Sequence, residues 1–214
     1  MTMRRLLIPA LALLLAACSS AYYGALEKVG VHKRDIMVDR VKDAQKSQQE
    51  AKQEFKSALE QFSALVNVKG GDLQKTYDQL NARYERCDAK AKEIHDRIGA
   101  VEDVSGALFK EWKKEIGQYS NPEFRRTSEQ ELKQSQAQYK ELIAAMKKAE
   151  SKIAPVLTVM HDQVLFLKHN LNARAIASLK DELASVEIKV GDLLKEMEEA
   201  INEADAFIKT MNRP

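Results

Sequence analysis

Between Asp72 and Gln118 the chain reads DLQKTYDQLNARYERCDAKAKEIHDRIGAVEDVSGALFKEWKKEIGQ, and two seven-residue rows run through it. Tyr77, Tyr84, Ala91, Ile98, Ser105 and Trp112 form one row, continued by Tyr119; Leu73, Leu80, Cys87, Ile94, Val101 and Leu108 form the other. A helix that carries two such rows buries a narrow stripe against partner helices, knob into hole, with a left-handed supercoil. A stripe of this kind needs partners, and the rest of the chain supplies them. Toward the C-terminus, Ile176, Leu183, Val190, Met197, Ala204 and Met211 run beside Leu179, Val186, Leu193, Ala200 and Phe207. Before them come Leu132, Tyr139, Met146, Ile153, Met160 and Leu167, beside Leu142, Ala149 and Val156 and then the polar Gln163 and Asn170. The first stretch is least regular, with Val41, Gln48, Phe55 and Phe62 beside Met37, Ala44, Ala51, Ala58 and Leu65.

With 8 Gly and 4 Pro in 214 residues, the few clusters of turn residues act as strong punctuation. Lys69-Gly70-Gly71-Asp72 and Ser120-Asn121-Pro122-Glu123 read as turns, with Asp72 and Ser120 or Asn121 as helix caps and Pro122 in a first helical turn. A third turn is expected near His169–Asn172, because extending the Leu167 row by seven gives the polar Arg174, while the next strong row starts at Ile176. Pro155 falls on the outer face of an unbroken row and is expected to kink its helix without ending it. The expected helices are 24–67, 72–118, 122–168 and 173–211. Short connections make them antiparallel neighbours in an all-α, elongated four-helix bundle about 60–70 Å long.

Composition agrees with long helices: 31% of residues are charged and 6% aromatic. The chain opens with Arg4 and Arg5, an apolar stretch from Leu6 to Leu15, and then Ala16-Ala17-Cys18. That order is an export signal, and its apolar part is too short for a bilayer, which needs about 20 residues. Leu14-Leu15-Ala16-Ala17-Cys18 resembles the lipobox of bacterial lipoproteins. The resemblance implies removal of residues 1–17, acylation of Cys18 with chains such as palmitate, a lipidated N-terminus over 18–23 and a bundle domain over 24–214. Ser19, rather than Asp, after the cysteine implies the outer membrane, with the protein facing the periplasm. Without Arg4 and Arg5, 32 basic residues face 32 acidic ones. A balanced charge argues against nucleic acid as a partner. With Cys18 carrying lipid, Cys87 stands alone and no internal disulfide is expected.

Catalytic and cofactor motifs are not evident. No His is preceded three residues earlier by Glu, as a di-iron bundle requires; His161 and His169 are about 12 Å apart along a helix. Gly70-Gly71 is followed by Asp72, unlike a nucleotide-binding P-loop. No catalytic residue, metal, nucleotide or other cofactor is therefore assigned, and the four histidines are expected at the surface. Cys87 is expected in the core, with an intermolecular disulfide as the alternative, and Trp112 either in the core or at the lipid interface. Tyr22 and Tyr23, with Lys28, Lys33, Arg34, Arg125 and Arg126, are candidate membrane-interface residues, since aromatic rings favour the headgroup layer and cations favour anionic headgroups. Solvated helix faces are the plainer reading of the same residues.

Tyr22-Tyr23, Glu27-Lys28-Val29-Gly30, Lys33-Arg34-Asp35, Val38, Arg40-Val41, Gln48-Gln49-Glu50-Ala51 and the span from Phe55 to Phe62 resemble an uncharacterised family of proteobacterial helical lipoproteins. The resemblance covers nearly all of the chain after Cys18 and implies an exported helical protein without an assigned activity. In lipid plus heptads the chain is also similar to the major murein lipoprotein, but Asn212-Arg213-Pro214 lacks the terminal Lys through which that protein joins peptidoglycan. Two functions remain. One is a non-enzymatic structural or adaptor module of the cell envelope, anchored by lipid and meeting a protein partner at its far turns, 68–72 and 168–173. The other is a membrane-active helical protein that binds or remodels lipid.

Overall fold

The computed structural model describes residues 22–66, 73–170 and 172–212, which are helical apart from short turns, with no strand among them. The elements are α1 (22–28), α2 (Lys33–Val66), α3 (Leu73–Ile116), α4 (Pro122–His169) and α5 (Ala173–Met211). Each long helix packs against two others: α2 on α3, α3 on α4, α4 on α5, and α5 back on α2. Cross-helix bonds give the directions. Glu54 meets Arg83 while Asp43 meets Arg97, so α2 and α3 are antiparallel. Gln45 meets Asp205 while Lys52 meets Glu198, so α2 and α5 are too. The molecule is an up-down-up-down bundle, as the heptads predict. Its helices of 34 to 48 residues are roughly 50–70 Å long.

The rows read from the sequence form the core. Every named member of both α2 rows is buried, including Gln48, and so are Leu80, Cys87, Ile94, Val101 and Leu108 of α3. In α5 all named members are buried except the half-buried Leu183. Gln163 is buried in α4 although it is polar. The third turn is real. Asn170 caps α4, its backbone N–H donating to Leu167 O and its side-chain amide to Phe166 O at 2.9 Å. Pro155 lies within α4, and the helix passes through it. Asn121 caps the start of α4 by accepting from the N–H groups of Glu123 and Phe124, with Pro122 next to it. The expected 68–72 turn lies outside the described residues.

Two expectations need correction. The first helix is not continuous from residue 24. Gly30 adopts φ +85°. Its N–H bonds Glu27 O at 3.0 Å, and the Val31 N–H bonds Leu26 O at 3.0 Å. This is a Schellman end, for which glycine is suited because it lacks a Cβ. The chain restarts at His32, whose carbonyl accepts from Asp35 and Ile36. Val29-Gly30-Val31 has no Pro and no polar run, and the seven-residue rows begin only at Met37, so nothing in the spacing marked the break. The second correction is at the end of α3, which stops at Ile116; Tyr119 lies past the end of its row and is 45% exposed.

Candidate functional site

The break at Gly30 turns α1 back along the bundle. Lys33 donates to Glu27 in α1 and, at 2.9 Å, to Glu111 in α3. Further along, the Tyr23 hydroxyl donates to Asp103 at 2.6 Å. Moving from Glu27 to Tyr23 therefore corresponds to moving from Glu111 to Asp103, away from the end of the bundle. Glu27, Asp103 and Glu111 hold α1 in place. Sequence reasoning missed all three, since carboxylates among so many charged helical residues carry no distinguishing spacing.

Electrostatics favours this arrangement. Burial opposes ionisation of Tyr23, and its bond to the Asp103 carboxylate opposes it further, so its pKa is raised. Burial also disfavours the Lys33 ammonium, but its bonds to Glu27 and Glu111 outweigh that and raise its pKa. The bond from Lys33 holds Glu27 below the usual carboxylate range.

The seven candidate interface residues therefore separate. Tyr23 and Lys33 are 4% and 7% exposed and serve to fasten α1, so neither offers its side chain to a lipid surface. Tyr22 is half exposed, with its ring edge-on to Tyr23 at 5.2 Å between centroids. Lys28 is exposed. Arg34 is exposed but donates to the Met211 carbonyl, tying the start of α2 to the last turn of α5. Arg125 and Arg126 are exposed in the first turns of α4, and Arg125 pairs with Glu129 at 3.2 Å. Cys18 lies outside the described residues.

Arg125 and Arg126 belong to a projecting tip. Thr210 of α5 accepts from Gln138 at 3.3 Å, and α5 ends one residue later, whereas α4 begins at Pro122. The first 16 residues of α4, about 24 Å, thus extend past α5. They pair with the last turns of α3: Ile116 and Leu132 are buried, and the Trp112 indole donates to Ser128 at 2.8 Å. Trp112 is half-buried and lines a cleft of about 270 Å³ with Arg34, Glu131, Ser135 and Met211 where the two shorter helices stop. At the tip Phe124 is 64% exposed. The sequence offered a signal for it: an aromatic directly before Arg125-Arg126 in a helix's first turn.

Elsewhere the surface carries ion pairs between helices, such as Lys90 with Glu50 and Lys147 with Glu102. His95 is exposed and bonds Glu150 at 2.7 Å, which raises its pKa. His161 is exposed and its ring lies 5.5 Å from that of Tyr84; His32 and His169 are exposed as well. Among the described residues no group of three or more His, Cys, Asp or Glu is placed to hold a metal ion. None of their helices is long and apolar enough to cross a membrane. Cys87 is fully buried, and burial pushes its thiol up to about 12.

No curated protein and no solved structure matched the chain. A family model did, over residues 22–211, the span of the helices just described; the chain belongs to that family, described as Protein of unknown function (DUF2959).

Proposed function

We propose that this protein is a lipid-anchored, non-enzymatic module of the bacterial cell envelope, a helical rod that projects into the periplasm from the outer membrane and serves as a structural or adaptor element. One observation carries the reading: a lipobox-like Leu15-Ala16-Ala17-Cys18 stands four residues before a rod whose helices spend their heptad rows on one another. Lipid on Cys18 would hold one end, and packing would keep the other end at a fixed reach of roughly 50–70 Å. Reach with rigidity is what a spacer or adaptor needs. The far end, with His169 and Asn170, is the part offered to an envelope protein.

The anchor is tested by fractionation and by mass spectrometry of the N-terminal peptide. Wild-type protein should carry acyl chains on Cys18 and sediment with outer-membrane markers, and Cys18→Ser should be unacylated. An unmodified Cys18 would overturn the anchor; recovery with inner-membrane markers would overturn the sorting. Photo-crosslinking in cells from position 169 should capture one defined envelope protein, and a captured product that also forms from position 46 would speak against an end-specific adaptor.

A further inference from the structure

We infer that the α3–α4 tip, carrying Phe124 and Tyr119, enters the headgroup layer of the same membrane that holds Cys18, so that the rod stands on two points, a lipid and a protein wedge. The inference rests on the lipid-anchor reading above and adds a second contact to it.

The argument is one of lengths. Tyr23 is bonded to Asp103, and α3 continues 13 residues from there to Ile116, about 20 Å along its axis. The backward run of α1 gives a shorter figure from the other side, about 17 Å. Lys33 sits beside Glu111, and the six steps from residue 28 to residue 22 retreat about 9 Å. Cys18 is four residues before Tyr22, and four residues span at most about 14 Å even when fully extended toward the tip. An upright rod anchored through Cys18 therefore carries its tip about 3–6 Å past the farthest level that Cys18 can reach. The headgroup layer on one side of a bilayer is about 5–8 Å thick. The tip then enters that layer and carries Phe124 toward the hydrocarbon.

The side chains at the tip suit that depth. Phe124 and Tyr119 are exposed aromatics at the α4 start and the loop before it, and Arg125 and Arg126 follow directly. Aromatic rings favour the interface, and arginines beside them can meet headgroup phosphates. The contact is not a general electrostatic one: Lys113, Lys114, Arg125, Arg126 and Lys133 are nearly matched by Glu115, Glu123, Glu129 and Glu131. Aromatic insertion, rather than net charge, is the attraction. Val29 and Val31, exposed at the α1–α2 turn, lie toward the same end.

The experiment uses the full, acylated protein in vesicles of phosphatidylethanolamine and phosphatidylglycerol, with a nitroxide on Phe124→Cys or on Ile188→Cys. Ile188 is 66% exposed and far along α5 from the tip. Acylation is first confirmed on the N-terminal peptide, so loss of the anchor is seen separately from failure of the tip. At position 124 the label should be relaxed more by oxygen than by a water-soluble nickel chelate, with the ratio reversed several-fold at 188. Replacing Tyr119 by Asp should shift the 124 label toward water without releasing the protein. A water-exposed 124 label on membrane-bound protein overturns the inference. Equal burial at 124 and 188, which marks a rod lying flat, overturns it as well. Dipolar broadening at 124 would mark a second copy as the occupant of the tip, and it too overturns the inference.

Discussion

At the scale of single residues, Gln48 and Gln163 are polar members of the core rows, and Gln48 is the more deeply buried. Gln48 is 1% exposed, and neither atom of its amide finds a hydrogen-bond partner among the described residues. An unpaired buried polar group costs about 1–3 kcal/mol. Gln48→Met keeps length and removes the amide, so it should stabilise the bundle by about 1–2 kcal/mol, raising Tm by a few degrees, with position 48 still buried. Thermal and urea denaturation check it; a loss of stability would mean the amide is satisfied. The register-pinning role of a polar residue at a heptad core position is the physical reason such a cost is tolerated in coiled coils. Cys87 gives a second expectation. With no exposed surface and a thiol near 12, it should resist a maleimide at pH 7 and react fully once the protein is unfolded. Rapid native labelling would show that the bundle opens at that level. Both positions were legible in the seven-residue spacing, which placed Gln48 and Cys87 in core rows without regard to their chemistry.

The element whose behaviour is most distinctive is α1. It is fastened by Tyr23 to Asp103, by Glu27 to Lys33, and by the turn at Gly30. Gly30→Ala meets no neighbouring atom, so its cost is conformational alone, about 1 kcal/mol for a left-handed residue. Hydrogen exchange over 22–28 should quicken while α2–α5 are unchanged. Acid should act at the same place. The folded pKa of Glu27 is lowered by Lys33, so its contribution is complete above the ordinary value of 4.5 and is lost as pH falls through the lowered value. Protection of α1 should therefore decline below about pH 4.5. Alkali works in the other direction. Tyr23 has a raised pKa, so its contribution is complete below the ordinary tyrosine value of 10 and is lost as pH rises through the raised value. An ultraviolet titration should show a tyrosine that ionises only above the ordinary value of 10 and that is missing from Tyr23→Phe. If Tyr23→Phe removes no such late component, Tyr23 is not held. None of this was legible beforehand: α1 is seven residues long, too short to display a period.

For the whole molecule the shape is the testable quantity. Spin labels at Lys28 and Lys209, both exposed near one end, should lie within about 25 Å of each other; labels at Lys28 and His169 should be about 50 Å apart, because α5 rises some 54 Å between 173 and 209. A long 28–209 distance would require α4 and α5 to be one helix and would refute the bundle. The four helices, their turns at 121 and 170, and the members of the core follow from the sequence, because a repeat of seven recurs often enough in 34 to 48 residues to outweigh chance. That α4 does not end at Pro155 follows for the same reason. The direction of α1, the burial of Tyr23 and Lys33, and the projection of the α3–α4 tip were decided by tertiary structure alone. They depend on where helices of unequal length stop beside one another and on a single positive φ at Gly30. Periodicity specifies which face of a helix is buried; it does not specify how far its neighbours extend or which carboxylate an isolated Tyr or Lys will reach.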